Sequence, residues 1–274
     1  MTRNGGVALG IGWALLVLLA MGATAHYLKD AVNNAFFLRS AGVSQKARSD
    51  LQEYLDRQSQ NLGSFADAMG QTATWEETTF QEKAVRLLRD APAFFAISFL
   101  DEKFRREWVF PFAFSRGVLG TELKGSSDAM GAAKRALKTG QPAASGLMEL
   151  AQGGTGVMLY APIFRGSIWQ GLAEGPIRVG QLALELIGPA VGRDFRYSII
   201  DERQGREIFT TLSRSDRTAT PAYDAFFTLS LADRTWWVLL HPQSPPPTLA
   251  IVVGALSAEA ILGALVYILW RRRQ

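Results

Sequence analysis

Two acidic pairs and one glycine-rich loop are the parts of this sequence that most resemble catalytic machinery. Asp101-Glu102 and Asp201-Glu202 offer adjacent carboxylates, and Gly153-Gly154-Thr155-Gly156 resembles a phosphate loop. Both acidic pairs fall at predicted hairpin tips, where acids are normally solvated, whereas a glycosidase pair must face across a cleft. The glycine loop lacks the Lys-Ser/Thr of a P-loop and lies between two predicted strands, which indicates a hairpin turn.

Residues for nucleophilic or metal-assisted catalysis are scarce. The chain has no Cys, and its two histidines, His26 and His241, each lie close to a hydrophobic segment. Thiolate catalysis, disulfides and Cys-type zinc sites are therefore excluded, and a His triad or multi-His metal site lacks partners. The sequence predicts a protein that is not an enzyme and that holds neither a metal nor a cofactor.

The net charge of +4 does not indicate nucleic-acid binding, because the basic excess lies at the chain ends. Without Arg3 and Arg271–Arg273, and with Glu259 set aside, 25 basic residues face 24 acidic ones. The arginines between Arg193 and Arg217 alternate with acids such as Asp194 and Asp201, as on a solvated surface. No basic stripe is left that would neutralise phosphates.

Two apolar segments, 5–26 and 247–270, are each long enough to cross a bilayer. The second ends in Trp270 followed by three arginines, an aromatic belt and a positive anchor. The positive-inside rule then predicts cytoplasmic ends, 1–4 and 271–274, and a two-pass protein of the inner membrane whose centre is periplasmic or extracellular. The alternative for the first segment is a signal peptide cleaved after Ala23-Thr24-Ala25.

Small residues in both segments allow close helix packing. Gly6 and Gly10 are spaced for it in the first segment, as are Gly254 and Ala258 in the second. Glu259 is an acid near mid-bilayer, which costs about 2.5–3.5 kcal/mol unless it is protonated or paired. It is either a tolerated, protonated residue or a polar contact with a second copy or another protein.

Between these segments the patterns predict an α+β domain. Residues 27–77 carry one apolar stripe at helical spacing, which predicts a long stalk helix. Residues 78–175 give helix, two strands, helix, two strands, a PAS-like antiparallel sheet with helices on one side. Residues 176–246 are predicted to form the membrane-proximal subdomain and contain four more short strands. These strands either form a second sheet or complete the first.

A PAS-like sheet would bind a ligand between its central strands, the covering helices and a loop. The candidates offer aromatic walls, a phenol and one guanidinium, suited to a small planar or carboxylate-bearing ligand. They are Trp108, Phe110, Phe112, Arg116, Met148, Met158 and Tyr160. The alternative is that the aromatic side chains belong to the hydrophobic core and that Arg116 is a solvated loop charge.

Several stretches carry a resemblance to a known family: FFAISFLDEKFRREWVFPF from Phe94, LGTEL from Leu119, SSDAMGAAKRALKTGQPAASGLMELAQGGTGVMLYAPIF from Ser126, and FFTLSLADRTWWVLLHP from Phe226. Together they resemble the CHASE domain, an extracellular sensory module of histidine kinases, nucleotide cyclases and plant hormone receptors. The resemblance covers roughly residues 60–245. It implies a long helix carrying two PAS-like subdomains, with a small-molecule pocket in the membrane-distal one. The family's ligands differ widely, so none is implied.

Two functional hypotheses follow. The first is a membrane-anchored sensory receptor that binds a small ligand and signals through its transmembrane helices, as a homodimer or to a separate output protein. A separate protein is invoked because the chain ends four residues after Trp270, where family members usually continue into an output domain. The alternative is a non-catalytic envelope interaction or assembly factor with the same fold.

Overall fold

The structure, a computed structural model, describes residues 3–73, 75–114, 117–123, 127–151, 153–213 and 225–243, together with Gly254, Ser257 and Gly263. In the first helix the side chains of residues 3–18, 21, 29, 33 and 36 also lie outside the description. The chain divides into two compact units, Val43–His241 and the pair Met1–Gly42 and Pro242–Gln274. The sheets and the candidate site belong to the first unit.

The first predicted membrane segment, 5–26, lies in helix α1 with most of its side chains outside the description, and most of the second lies on residues that are not described. Within the described ranges, no helix is long and apolar enough to cross a membrane. Ala258, Glu259 and most of 247–270 are not among the described residues. Gly6 and Gly10 lie in helix α1, in the part whose side chains are not described. In the second segment, a Cβ atom added to Gly254 would meet nothing within 4 Å. Their role in helix packing stays a prediction.

Two helices precede the first sheet. Helix α1 spans Arg3–Gly70 and buries an apolar stripe that includes Leu51, Leu55, Leu62, Phe65 and Met69. Gly42 and Gly63 do not interrupt it. Helix α2 spans Glu77–Asp90, with Glu76 as its N-cap residue. Thr79 and Glu82, whose spacing in the sequence resembles a capping box, therefore lie inside the helix and do not mark its start.

The first sheet has six strands in the order β2-β1-β6-β5-β3, with β4 also paired to β5. Its strands are β1 (Ile97–Leu100), β2 (Arg106–Phe110), β3 (Ala143–Ala144), β4 (Met148–Glu149), β5 (Thr155–Arg165) and β6 (Ile168–Arg178). These neighbouring strands pair antiparallel. The β1–β2 pair and the β4–β5 hairpin agree with the sequence predictions.

Helix α3, Asp128–Thr139, covers one face of this sheet. Its start is set by Ser127, whose Oγ accepts the Met130 amide, and its end by Gly140, which adopts the left-handed conformation at φ 69°. Its alanines and Met130 pack against Leu100, Met158 and Leu172. The small side chains let the helix lie close to the strands.

The second sheet has four strands in the order β8-β7-β10-β9. They are β7 (Phe195–Asp201), β8 (Arg206–Thr210), β9 (Ala225–Leu231) and β10 (Arg234–Pro242). The helical segment before them comprises α4 (Val179–Leu182), a π-helical turn (Ala183–Ile187) and α5 (Gly188–Val191). Gly188-Pro189 does not end this segment, because Pro189 occupies the first turn of α5, where no amide donor is needed.

Aromatic rings fill the opposite face of the six-stranded sheet. Trp108 lies 4.8 Å from Phe99 and 5.7 Å from Phe80, measured between ring centroids. Trp75 meets Phe99 edge to face at 5.3 Å, and Phe65 of α1 meets Phe80 in the same manner. This aromatic layer attaches α1 and α2 to the sheet.

Candidate functional site

The face of the six-stranded sheet beneath α3 combines apolar walls with a buried charged cluster. Strand register places Tyr160 opposite Glu174, and Glu174 opposite Ser98 of β1. Tyr160 also belongs to the buried cluster that contains Met158, Leu172 and the residues of α3. Three neighbouring strands therefore present polar groups to a space that is otherwise apolar.

Arg106, Glu174 and Tyr160 form the charged cluster. The Arg106 Nε and Nη2 atoms donate to the two carboxylate oxygens of Glu174, each at 2.6 Å. The Tyr160 hydroxyl donates to Glu174 Oε1 at 3.1 Å, and Arg106 Nη1 donates to Thr121 Oγ1 at 3.0 Å. Glu174 is 1% exposed and Tyr160 is 0% exposed. A bidentate pair of this kind fixes the orientation of both groups.

The buried cluster shifts the pKa values of Tyr160 and Arg106. Burial, followed by the charge of Glu174, raises the pKa of the Tyr160 hydroxyl well above its ordinary value. Burial alone would lower the pKa of Arg106, but the charge and hydrogen bonds of Glu174 outweigh it and the pKa rises. Arg106 therefore stays charged and Tyr160 stays a hydrogen-bond donor at neutral pH.

A pH titration checks this burial. Burial raises the pKa of Tyr197, in the second sheet, to about 12, and the pKa of Tyr160 is also raised. Both tyrosines bind their proton more tightly in the folded state, so their stabilisation is complete below about pH 10 and declines as the pH rises further. Phenolate absorbance from these two should therefore appear only well above pH 10, where the circular dichroism signal is also expected to weaken. Full ionisation of all six tyrosines in the folded chain would contradict it.

A rim of partly buried side chains lies at the edge of the buried residues beneath α3, and each of these side chains keeps part of its surface accessible to solvent. Phe95, Phe104, Met148 and Trp169 pack against the buried residues beneath α3. Phe104 and Trp169 lie 5.6 Å apart, and the Arg178 guanidinium lies 4.1 Å above the Phe95 ring. The rim thus offers aromatic faces and one cation.

Phe104 holds its place in the rim at a conformational cost. Its φ is 59°, in the left-handed region that non-glycine residues seldom adopt. The preceding turn supports it, because Asp101 Oδ1 accepts the amides of Lys103 and Arg105, each at 2.8 Å. Asp101 therefore builds the hairpin turn that presents the Phe104 ring to Trp169.

The structure brings some of the predicted site residues together and separates others. Met148, Met158 and Tyr160 share the space beneath α3. Trp108 lies in the aromatic layer on the opposite face, and register with Ile97 places Phe110 on the same side as Trp108. Phe112 is 74% exposed in a short 3₁₀ turn, and Arg116 lies outside the described residues.

Sequence reasoning missed Arg106 and Glu174. Arg106 opens a strand whose other members are mostly apolar, and a charge within such a strand is a signal of a buried partner. Glu174 lies in β6, which the sequence patterns did not identify as a strand. Without that strand no partner for Arg106 could be inferred.

The expectation that Asp201 is solvated at a hairpin tip is wrong. Its side chain is buried and accepts hydrogen bonds from Arg234 Nη1 at 2.9 and 2.7 Å. The hairpin tips of the second sheet lie against α3 and β3 of the first, which removes Asp201 from water. Its burial is therefore a consequence of packing between the two sheets.

An open groove of about 670 Å³ lies along α1, away from the charged cluster. Its lining is polar and comes from a single helix, between Gln45 and Gln60. The Gln52 side chain in this groove accepts the Ser230 amide at 2.7 Å and donates to the Ser230 carbonyl oxygen at 3.0 Å. These two bonds satisfy backbone groups of β9, the strand at the edge of the second sheet. A groove without apolar walls or a buried polar group is the weaker candidate.

Comparison with a family model matches residues 53–209, more than half of the chain, to the CHASE domain. No match was found among proteins whose functions have been curated. The family match covers both the charged cluster and its aromatic rim.

Solved sensory domains share the fold. An extracellular ligand-binding receptor from Desulfohalobium retbaense has a TM-score of 0.61 at 14% identity, over 73% of this chain and only 39% of its own length. The ligand-binding domain of the Pseudomonas fluorescens chemoreceptor CtaA, in complex with L-valine, has a TM-score of 0.56 at 11% identity, over 77% of this chain and 99% of that one. That of the Pseudomonas aeruginosa amino-acid chemoreceptor PctC, in complex with GABA, has a TM-score of 0.53 at 12% identity, over 73% and 96%. The fold is therefore that of extracellular sensory ligand-binding domains.

Proposed function

The chain belongs to the CHASE domain family, and from that premise we propose that it is a membrane-anchored sensory receptor that binds a small ligand outside the cytoplasm. It has no catalytic role of its own in this proposal. Its ligand-binding part is the membrane-distal subdomain, residues 78–175, carried by the stalk helix 27–77. The membrane-proximal subdomain, 176–246, connects it to the second membrane segment.

The observation that carries the proposal is the aromatic rim over a buried, fully paired charged cluster beneath α3. The rim residues Phe104, Met148 and Trp169 would hold an apolar or planar part of the ligand. Arg178 at the same rim would attract a carboxylate; it ends strand β6 of the first sheet, three residues beyond the boundary predicted for this subdomain. Amino acids and related small carboxylates combine these features, and GABA and L-valine are the ligands in two of the similar structures.

The signal would pass through the membrane helices, 5–26 and 247–270. Only a ligand that binds two conformations with different affinity can bias such a switch. Helix contacts through Gly6, Gly10, Gly254, Ala258 and Glu259 would then change, within a homodimer or with a separate output protein. This relay requires the chain to lie in the inner membrane with its central domain in the periplasm.

A thermal-shift screen of the full chain in lipid nanodiscs tests the proposal. The panel is GABA, L-valine, L-isoleucine, L-glutamine and simple carboxylates. A ligand present at 100 times its Kd should stabilise the folded state by about 2.7 kcal/mol, and the shift should grow with concentration. Absence of any shift across the panel would count against a small-carboxylate receptor and favour the assembly factor.

A further inference from the structure

Two reciprocal ion bridges join α3 of the first sheet to the β9–β10 hairpin of the second. The hairpin tip supplies Asp233 and Arg234, and α3 supplies Asp128 and Arg135. Arg234 Nη2 lies 2.5 Å from Asp128 Oδ2, and Arg135 Nε lies 2.6 Å from Asp233 Oδ2. Each element therefore gives one cation and one anion, which fixes the register of the hairpin on the helix.

Arg234 is the centre of this arrangement, because its guanidinium reaches both sheets at once. Nη1 bonds Asp201 in its own sheet, and Nε donates to the carbonyl oxygen of Ala144 in β3 at 3.3 Å. The Arg234 side chain is 0% exposed. A buried cation cannot leave its partners without a large desolvation penalty, so the partners must move with it.

The same groups hold the segment Ala144–Met148, which runs beside the proposed ligand site. The Ala144 amide donates to Asp233 Oδ1 at 2.8 Å, and its carbonyl also accepts from Arg135 at 2.7 Å. The Gly146 amide donates to the Asp128 carboxylate that Arg234 binds. Ser145 Oγ accepts the Met158 amide at 2.9 Å, which connects this segment to the cluster beneath α3.

We propose that Arg234 is a positioning residue that couples the ligand side of the first sheet to β10, the strand that precedes the second membrane segment. A displacement of α3 or of Ala144–Met148 moves Asp128 or the Ala144 carbonyl, and Arg234 carries that displacement to Asp201 and β10. The functional meaning of this coupling rests on the proposed receptor role. The mechanical coupling itself needs no ligand.

Hydrogen exchange with mass spectrometry on the ligand-free full chain in nanodiscs tests the coupling. The variant is Asp128→Asn, which removes charge at a side chain that is 42% exposed and should leave the fold intact. Loss of the charge-assisted bond should speed amide exchange roughly 10- to 100-fold at Asp201–Gly205 and Arg234–Trp236, in the other sheet, as well as at Ala144–Met148. Asp90→Asn is the control, because the Asp90 carboxylate pairs with its exposed neighbour Arg89 at the surface of α2.

The reciprocal variant separates coupling from local loosening. Asp201→Asn, in the second sheet, should speed exchange at Ala144–Met148 by a similar factor, since the two carboxylates share one guanidinium. Exchange changes confined to the sheet that carries each substitution, or absent in Asp128→Asn, would overturn the proposal. Because no ligand is added, this result is independent of the thermal-shift screen.

Discussion

Replacing Arg106 by Met is expected to lower the free energy of unfolding by about 3–5 kcal/mol, because it leaves the buried carboxylate of Glu174 without its countercharge. Glu174 then keeps only the Tyr160 hydroxyl among the partners seen in the described residues. For a domain of this size the loss corresponds to a fall in Tm of roughly 6–20 °C. Denaturant unfolding followed by circular dichroism measures it.

The adjacent residue provides the matched control. Arg105 is 47% exposed and pairs with Asp101 and Glu107 at the surface, so Arg105→Met should cost no more than about 1 kcal/mol. The double variant Arg106→Met/Glu174→Met should recover part of the lost stability, since it removes both charges together. Equal losses from Arg105→Met and Arg106→Met would mean that the Arg106–Glu174 pair is not buried as described.

Gly70→Ala is expected to destabilise the domain by about 1–3 kcal/mol or more, through overpacking where α1 ends against β5. A Cβ atom at Gly70 would overlap the backbone carbonyl oxygen of Phe164 and lie 3.1 Å from its carbonyl carbon. Backbone cannot rotate away as a side chain can, so the helix and strand must separate. Thermal unfolding of the variant gives the size of the effect.

Gly63→Ala, in the same helix, should have the opposite sign. Its Cβ would meet Pro142 Cγ at 3.5 Å, an ordinary contact, and alanine favours the helix by about 1 kcal/mol over glycine. The two substitutions are chemically identical, so their difference reports the close approach at Gly70 alone. A Gly70→Ala chain as stable as the Gly63→Ala chain would refute the packing of α1 on Phe164.

Helices and strands whose boundaries are determined by nearby residues in the sequence could be predicted. Ser127 and Gly140 delimit α3 because an N-cap hydroxyl and a left-handed glycine act within one turn of the chain. The β9–β10 hairpin was likewise predictable from two alternating runs around Ala232-Asp233-Arg234. The antiparallel sheets and the long first helix follow from such local patterns.

Strand β6 was missed for a physical reason. Gly171, Gly175 and Pro176 resemble strand breakers, yet each glycine fits a close approach from a neighbour. A Cβ atom would overlap the Leu100 carbonyl at Gly171 and would lie 2.6 Å from the Phe94 ring at Gly175. These close contacts are made by β1 and Phe94, which are distant in sequence from β6, so no local pattern reveals them.

The candidate site was predictable only in part for the same reason. Met148, Met158 and Tyr160 lie together beneath α3 because all three come from one predicted hairpin, and their role in ligand binding stays a prediction. Arg106 and Glu174 are 68 residues apart in the sequence, and Glu174 lies in β6, the strand that was not predicted. The partners of Asp201 and Arg234 likewise depend on how the two sheets pack, which local spacing does not encode.

Ligand binding to two matched tryptophan variants shows whether the ligand site lies on the face of the first sheet beneath α3. Trp169 lies in the rim beneath α3, whereas Trp75 lies on the opposite face against Phe99, and both are partly buried. The measurement is calorimetric titration of the full chain with the panel compound that raises its Tm most. We expect Trp169→Leu to weaken binding by roughly tenfold or more, a loss of about 1.4 kcal/mol, and Trp75→Leu to leave the affinity unchanged. Equal affinity of the Trp169→Leu variant and the unaltered chain would contradict a ligand site on this face.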